Sequence, residues 1–421
     1  METSSLLGLK PSRRRPAGNV GFEEDVGSMI KRNGSMILNG KGFALHTGLE
    51  GYWSPPLSYL LFFTPFALAW GWMEWNPTVT FALCFLSLIP LALVLGTATE
   101  DIALYSNDTI GGLLNATFGN AVEMIIAVQA LRQGFTDLVQ ATLLGSILSN
   151  LLLVLGCSFL FGGLIYKTQR ISRVVVSSVS TVLAVVVFGF ACPAVLSETT
   201  KGSQAPVDAM SLITSIALLV IYALYLFFQL VTHVAYFNAG VEGDSPQVLN
   251  GVVADMPADD ADGGSEQPKV ALPIACGILL GSCLVVAWVS EYLVDSVDAF
   301  ASNVGLPPRF VTLILLPIVG NAAEHFSAVT VAMKNKLDLS VGIALGSSIQ
   351  IAIFVGPSLV ILSWICGWKH LTLDFDMFPT VLVVASVWLV NIMIRDFEAN
   401  WFEGAILCVT YFVIAAFTFV V

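Results

Sequence analysis

Two glutamates interrupt apolar stretches of this 421-residue chain. Glu123 lies in the segment FGNAVEMIIA, and Glu324 lies 201 residues later in the segment VGNAAEHFSA. An ionisable side chain at the centre of a membrane helix costs about 2.5–3.5 kcal/mol on insertion scales, so it normally faces a cavity and has a function there. The two glutamates therefore predict a functional site inside a membrane.

Glycine and asparagine precede each glutamate at the same spacing. Gly119 and Asn120 stand four and three residues before the first glutamate, and Gly320 and Asn321 stand likewise before the second. On a continuous helix each set of three residues shares one face. Glycine lets an ion or a neighbouring backbone come close and weakens the helix locally, while asparagine supplies an amide oxygen.

A second polar segment follows each glutamate. The segment GSILSN contains Ser146 and Ser149, and the segment GSSIQ contains Ser347 and Gln350. The two members of each pair are three residues apart and can line one helix face. Together with the first set they predict a site of hard oxygen ligands, which Ca2+ takes in numbers of six to eight, whereas thiolates and imidazoles suit Zn or Cu. No resident cofactor is expected, only transported Ca2+ and H+.

Two carboxylates brought together in a low-dielectric site repel each other and lose hydration, and both effects favour their protonated forms. Such a site binds protons or a divalent cation, but binds both poorly at once. Mutual exclusion of this kind is the chemistry of an antiporter.

Three further titratable residues stand near the motifs. His325 follows the second glutamate and is either a proton relay or a packing histidine, because it lies about 100° around the helix from its neighbour. Glu100 and Asp298 stand near the ends of spans about one helix before each motif. They are either acidic vestibules on opposite sides of the membrane or solvated loop charges.

The composition is that of an integral membrane protein. Hydrophobic residues make up 56% of the chain and charged residues 11%, with a mean hydropathy of +0.82, against roughly 45–50% apolar residues in soluble domains. Breaks at Pro, Gly and charge clusters separate eleven apolar segments that can span a bilayer as helices. These segments are 56–73, 77–96, 109–131, 138–164, 174–196, 209–232, 270–290, 309–333, 339–363, 378–394 and 402–421.

An internal repeat organises these spans. With an offset of 201, eleven of 28 ungapped positions are identical between residues 119–146 and 320–347, including Asn, Glu and Asp. We therefore predict an all-α membrane protein with one leading span at 55–76 and two five-span repeats at 77–240 and 269–421. Because five is odd, the repeats enter the membrane from opposite sides, the inverted arrangement of many secondary transporters.

Two polar segments lie outside the repeats. Residues 1–54 form a basic tail, for which a regulatory role is one hypothesis, and the N-terminus is expected in the cytosol. Residues 241–268 contain seven acidic residues and no Lys or Arg, which is typical either of a solvated linker or of a surface that collects cations. The expected orientation places 14 of the 18 Lys and Arg residues on the cytosolic side and the C-terminus in a lumen.

The two motifs resemble a known family. The segments GGLLNATFGNAVEMIIAVQAL and LPIVGNAAEHFSAVTVAMKNKLDLSVGIALGSSIQI are similar to the signature repeats of the vacuolar-type cation/proton exchangers, the CAX branch of the calcium/cation antiporter superfamily. The resemblance covers about residues 55–421. It implies that Glu123 and Glu324 carry both the cation and the proton, and that the membrane encloses a vacuole or another acidic organelle. Val122 replaces the threonine usual in the first motif, which bears on the preference between Ca2+ and Mn2+.

The sequence therefore predicts an antiporter that moves cytosolic Ca2+, or Mn2+ and other divalent cations, into an acidic compartment in exchange for H+. The alternatives are a Na+/Ca2+ exchanger of the same superfamily and, from another class, a cation channel, which also uses acidic rings. An enzyme is disfavoured because no catalytic motif stands at a matching membrane depth. The expected partners are the ions and the lipid bilayer, with no nucleic acid.

The acidic linker generates the first testable prediction. Replacing its seven carboxylates by Asn or Gln should raise the apparent KM for Ca2+ uptake at low salt and leave the maximal rate nearly unchanged, because surface charge acts on the local ion concentration. The difference should shrink as salt screens the charges. A maximal rate that collapses while the KM stays constant would instead assign the linker to the conformational cycle.

Overall fold

The computed structural model describes residues 56–200, 204–233 and 268–420. The predicted tail at 1–54 lies outside these residues, as does the acidic linker up to residue 267. The described residues are almost entirely helical. In chain order the helices are α1 (Phe63–Trp72), α2 (Pro77–Leu104), α3 (Asp108–Phe118), α4 (Ala121–Arg132), α5 (Thr136–Leu148), α6 (Leu155–Ile165), α7 (Arg173–Thr199), α8 (Gln204–Phe227), α9 (Leu272–Val304), α10 (Pro308–Gly320), α11 (Ala322–Ala332), α12 (Leu337–Gln350), α13 (Gly356–Cys366), α14 (Met377–Met393) and α15 (Trp401–Val420).

The number of membrane spans differs from the predicted number. Within the described residues, eight helices are long and apolar enough to cross a membrane, and the total is ten if each of two bent helix pairs counts as one span. A shorter apolar helix, Tyr59–Trp72, lies where the sequence predicts the leading span. The all-α membrane architecture is confirmed, whereas the count of eleven spans is not.

Helices α2 and α9, the first helices of the two repeats, run antiparallel. Tyr105, just after α2, donates from its hydroxyl to the carbonyl of Val270, just before α9, at 2.8 Å. At the other ends, Asn303 Nδ2 donates to Thr78 Oγ1 at 3.0 Å. The two repeats therefore begin on opposite sides of the molecule. We call the side with Tyr105 and Val270 the linker side and the opposite side the far side.

The spans that contain the glutamates are broken helices. Helices α3 and α4 meet at an angle of 43° around Gly119 and Asn120, and α10 and α11 meet at 58° around Asn321. Glycine is disfavoured inside helices and asparagine is favoured at their N-terminal caps, so the Gly-Asn pair ends one helix and begins the next. The prediction that Gly, Asn and Glu share one face of a continuous helix is therefore wrong, because the three residues are divided across the break.

A π-helical turn begins at or directly after the last residues of each second polar segment. The turn Ser149–Val154 joins α5 to α6, and the turn Ile351–Val355 joins α12 to α13. The two turns occupy nearly equivalent positions in the repeats. A π-turn adds a residue to the helical turn and rotates the helix after it, and such turns are frequent at functional sites. The predicted spans 138–164 and 339–363 are thus single membrane crossings with a local change of pitch.

Two loops tie the repeats together at the ends of α5 and α12. On the linker side, the short strand β1 (Gln169–Arg170) pairs with β2 (Glu398–Ala399), and Gln169 donates to the carbonyl of Ala332 at 2.9 Å. On the far side, Gln140 on α5 donates to the carbonyls of Thr372 and Asp374, at 2.9 and 3.0 Å. The linker-side loop follows α6 and contacts the second repeat. The far-side loop follows α13 and contacts the first repeat.

The far-side loop yields a prediction about stability. Changing Gln140 to Leu leaves two loop carbonyls without their side-chain donor, and an unsatisfied buried polar group costs about 1–3 kcal/mol. We expect the Tm of the purified protein in detergent to fall by several degrees. The control is Thr181→Val, which removes a hydroxyl bonded only to its own helix and should leave the Tm nearly unchanged. Equal Tm values for the two variants would show that the hydrogen bonds of Gln140 to the far-side loop do not stabilise the contact between the repeats.

Candidate functional site

Both glutamates lie in the first turn of a half-helix. Glu123 occupies the first turn of α4 and Glu324 the first turn of α11, with Asn120 and Asn321 at the respective N-cap positions. The N-terminus of a helix carries a partial positive charge, which stabilises a nearby carboxylate. Glu123 is 3% exposed, whereas Glu324 is half-buried.

The glutamate of one repeat lies against the glycine of the other. A Cβ atom built on Gly320 would be 2.7 Å from Glu123 Oε1 and would overlap it. Glu324 follows Gly320 by four residues, so the glutamates of the two repeats lie in the same region of the molecule. The break in the second repeat thus provides room for the carboxylate of the first repeat.

The asparagines are bound to the second polar segment of the opposite repeat. Asn120 accepts a hydrogen bond from Ser347 Oγ at 2.9 Å and donates from Nδ2 to Gln350 Oε1 at 2.6 Å. In the reciprocal arrangement, Asn321 donates from Nδ2 to the carbonyl of Ser146 at 3.2 Å. Asparagines and serines that are far apart in the sequence therefore meet in pairs across the two repeats.

Asn150 extends this network, and the sequence analysis did not include it among the candidate ligands. Its side chain is fully buried and donates from Nδ2 to Ser347 Oγ at 2.8 Å. The sequence signal was an amide directly after Ser149 in an otherwise apolar run. Comparison of the two repeats does not reveal Asn150 as a candidate ligand, because the equivalent residue of the second repeat is Ile351.

Many buried oxygens at this place have no hydrogen-bond partner. Seven such atoms of the described residues belong to six side chains around the glutamates: Glu123 Oε1 and Oε2, Glu324 Oε2, Ser146 Oγ, Ser149 Oγ, Asn150 Oδ1 and Asn321 Oδ1. Folded proteins leave few buried polar atoms unpaired, so a concentration of them calls for an unseen partner. All seven are hard oxygen donors of the type that binds Ca2+ or accepts a proton.

The described residues contain no group of three or more His, Cys, Asp or Glu side chains that could hold a metal ion. A cation bound here would therefore depend on two carboxylates supplemented by amide and hydroxyl oxygens. Such ligands suit a hard ion better than Zn or Cu.

The remaining predicted residues lie farther from this network or make other contacts. His325 is half-buried on α11, and its backbone N–H donates to the carbonyl of Asn321 at 2.9 Å. Glu100 is exposed near the linker-side end of α2. Asp298 is exposed on the far side, where it lines a cavity of about 600 Å³ with Asp137 and Arg309. The two acidic residues thus lie on opposite sides, and their role as vestibules stays a prediction.

Relatives of known sequence share most of this chain. The pattern of the family described as sodium/calcium exchanger protein matches residues 76–231 and 274–420. A Ca(2+)/H(+) antiporter of Aphanothece halophytica is 42% identical over 357 residues, which cover 84% of this chain and 94% of the relative. Vacuolar cation/proton exchanger 3 of Oryza sativa subsp. japonica is 41% identical and covers 86% of this chain and 85% of its own length.

A solved structure agrees with these sequence relatives. Native YfkE superposes on this chain with a TM-score of 0.73 at 34% sequence identity, covering 87% of this chain and 100% of that one. The residues that match the sodium/calcium exchanger family, 76–231 and 274–420, include both repeats and both glutamate motifs. The chain therefore belongs to the sodium/calcium exchanger family, in its branch of vacuolar-type cation/proton exchangers.

Proposed function

We propose that this protein is a proton-coupled antiporter that moves Ca2+ across a membrane in exchange for H+. The observation that carries the proposal is the concentration of seven unpartnered buried oxygens around two glutamates from opposite repeats. The relatives named as a Ca(2+)/H(+) antiporter and a vacuolar cation/proton exchanger support the same activity.

The coupling follows from charge. The described residues provide neither Glu123 nor Glu324 with an ion-pair partner, so two ionised carboxylates together are costly in this buried place. One Ca2+ or two protons neutralise the same charge. The protein changes the side to which its site is open only when the charge of the site is neutralised. Each Ca2+ is therefore exchanged for protons, and Ca2+ does not leak back.

Access to the site alternates between the two sides. Inverted repeats place the binding site near the midplane where the repeats meet, and broken helices provide free backbone groups there. Gly119 and Gly320 allow close approach at the breaks, and the ligands are the carboxylates with Asn321, Ser146 and Ser149. Asn120, Ser347 and Gln350 hold one another by hydrogen bonds and shape the cavity.

The membrane is that of a vacuole or another acidic compartment, because the proton gradient there is directed toward the cytosol and two of the relatives are named vacuolar. The cytosol contains the N-terminus and the lumen the C-terminus. Mn2+ is a second candidate substrate, since oxygen ligands also suit it. A dependence of uptake on Na+ would favour the Na+/Ca2+ exchanger alternative that the family description names.

The principal test replaces each glutamate by glutamine. Glu123→Gln and Glu324→Gln should each abolish Ca2+ uptake driven by a pH gradient in sealed vesicles, because an amide keeps the shape but cannot balance Ca2+ or carry a proton. The double variant should be no worse. Removing a buried charge relieves a penalty of a few kcal/mol, at about 2.5–3.5 per charge, so each variant should insert at least as well as the parent.

The control for this test is Glu291→Gln, which changes an exposed glutamate paired with Arg132 and should retain uptake. A protonophore should abolish uptake by the parent. Uptake that persists in either single glutamate variant, in proportion to the pH gradient, would make that glutamate structural and refute the two-carboxylate site.

Asn150 provides a second test of the same site. Asn150→Leu removes the donor to Ser347 and one unpartnered oxygen, and the loss of a buried partner costs about 1–3 kcal/mol. We expect the Kd for Ca2+, measured by equilibrium binding to the purified protein, to rise about tenfold. Asn303→Leu, which loses a hydrogen bond at the far-side end of α9, should keep the Kd of the parent. An unchanged Kd in the Asn150 variant would remove this residue from the site.

A further inference from the structure

Gly145 marks a close contact between the two repeats, directly before Ser146 on α5. A Cβ atom built on Gly145 would overlap the backbone carbonyl of Leu313 and would be 2.6 Å from Pro317 Cγ. Helices α5 and α10 therefore touch in the far-side half with no room for a methyl group. Since one of the overlapping atoms belongs to the backbone, a small side-chain shift does not relieve the overlap.

Gly346 is the equivalent residue of the second repeat, at the same offset of 201 and directly before Ser347. A Cβ atom built on Gly346 meets no atom within 4 Å. The two glycines share a preceding leucine and a following serine, yet one is packed and the other is free. The equivalent glycines thus occupy different environments in this conformation.

The half-helices that face these glycines differ in the same way. Val311 and Ile314 on α10 are 0% and 4% exposed, whereas their counterparts Ile110 and Leu113 on α3 are 50% and 48% exposed. Helix α10 packs against α5, while α3 makes no comparable contact with α12 in the described residues. The far-side half is therefore closed at this contact, at the end of the cavity of Asp298, whose lining includes Leu144 and Leu313. The linker-side half has no equivalent contact in the described residues.

The exposed face of α3 includes polar groups. Thr117, whose hydroxyl donates to the Leu113 carbonyl at 2.8 Å, lies on the apolar side of the helix with Ile110 and Leu113. Asn115 and Gly119 are four residues apart on the other side of the helix, and both are exposed. Lipid is a poor environment for amides and for free backbone groups, which in membrane proteins face protein or a water-filled cavity. This face is therefore better suited to an aqueous path from the linker side than to lipid.

We propose that Gly145 and Gly346 are a pair of positioning residues that select between the two states of the transport cycle. The inference rests on the alternating access of the proposed function. In this structure Gly145 is packed and Gly346 is free. In the opposite state the repeats exchange roles, so Gly346 packs against α3, at the positions of Gly112 and Ala116, and Gly145 becomes free. In this structure a Cβ atom on Gly112 would overlap Leu230, and the Ala116 carbonyl accepts from the Tyr222 hydroxyl at 3.4 Å, so the exchange also moves Leu230 and Tyr222 away from α3.

The proposal gives equivalent substitutions opposite effects. Gly145→Ala places a methyl group in the packed contact and disfavours the state open to the linker side, and overpacking of this kind shifts an equilibrium by about tenfold or more. Gly346→Ala is accommodated in this state and disfavours the opposite one. A purely structural role predicts instead that only Gly145 is sensitive and that neither variant changes the side from which the site is reached.

The test measures accessibility from each side. Single cysteines replace Asn115 on α3 and its counterpart Leu316 on α10, which is 1% exposed. The full-length protein in sealed vesicles of known orientation is treated with a membrane-impermeant thiol reagent, and labelling at each position is quantified by peptide mass spectrometry. Gly145→Ala should slow labelling of Asn115→Cys from the linker side and speed labelling of Leu316→Cys from the far side, each about tenfold. Gly346→Ala should neither slow the labelling of Asn115→Cys nor speed the labelling of Leu316→Cys.

A second measurement applies if Gly145→Ala does not fold. Gly346→Ala should then bind Ca2+ from the linker side with the affinity of the parent while its exchange rate falls about tenfold or more. Exchange at the rate of the parent would overturn the proposal, as would identical labelling changes in the two glycine variants. The labelling requires no transport, so a parent that takes up no Ca2+ would refute the proposed function while the accessibility rates still decide the role of the glycines.

Discussion

The structure depends on two carboxylates from opposite repeats that lie in one buried region, where the described residues give them no ion-pair partner. The ion pairs of the described residues lie elsewhere, as between Arg132 and Glu291 or Arg309 and Asp376. Two buried charges without partners are among the most expensive features a fold can contain. Within the described residues no cation balances them, so under the proposed function the balancing charge is that of the transported ion.

The fold meets this constraint with neutral groups. Each glutamate begins a half-helix, whose free N–H groups favour negative charge without binding it permanently. Glycine at the break of one repeat makes room for the glutamate of the other, as Gly320 does for Glu123. An arginine at the same place would instead form a permanent ion pair with a carboxylate.

The sequence predicted the features that depend on local composition. Apolar run length located the starts of the helices to within about five residues, but the predicted spans 77–96 and 270–290 end well before α2 and α9 do, at Leu104 and Val304. The matching Asn, Glu and Asp at an offset of 201 revealed the repeat. It did not predict the 58° bend before Glu324, because the stability of a helix at Gly-Asn depends on tertiary contacts that a single segment does not encode. It also underrated Asn150, whose partner Ser347 is 197 residues away.

The paired hydrogen bonds explain why a site with so many unpaired oxygens remains ordered. Asn120 bonds to Ser347 and Gln350, so these three side chains have defined orientations without using the carboxylates. Asn321 uses its Nδ2 on the Ser146 carbonyl, and its Oδ1 remains without a partner. One asparagine is thus committed as structure while the equivalent one presents an oxygen to the cavity. The asparagines themselves are identical, so the division of roles arises from their surroundings, in which Gln350 and Asn150 stand where the opposite repeat has Ser149 and Ile351.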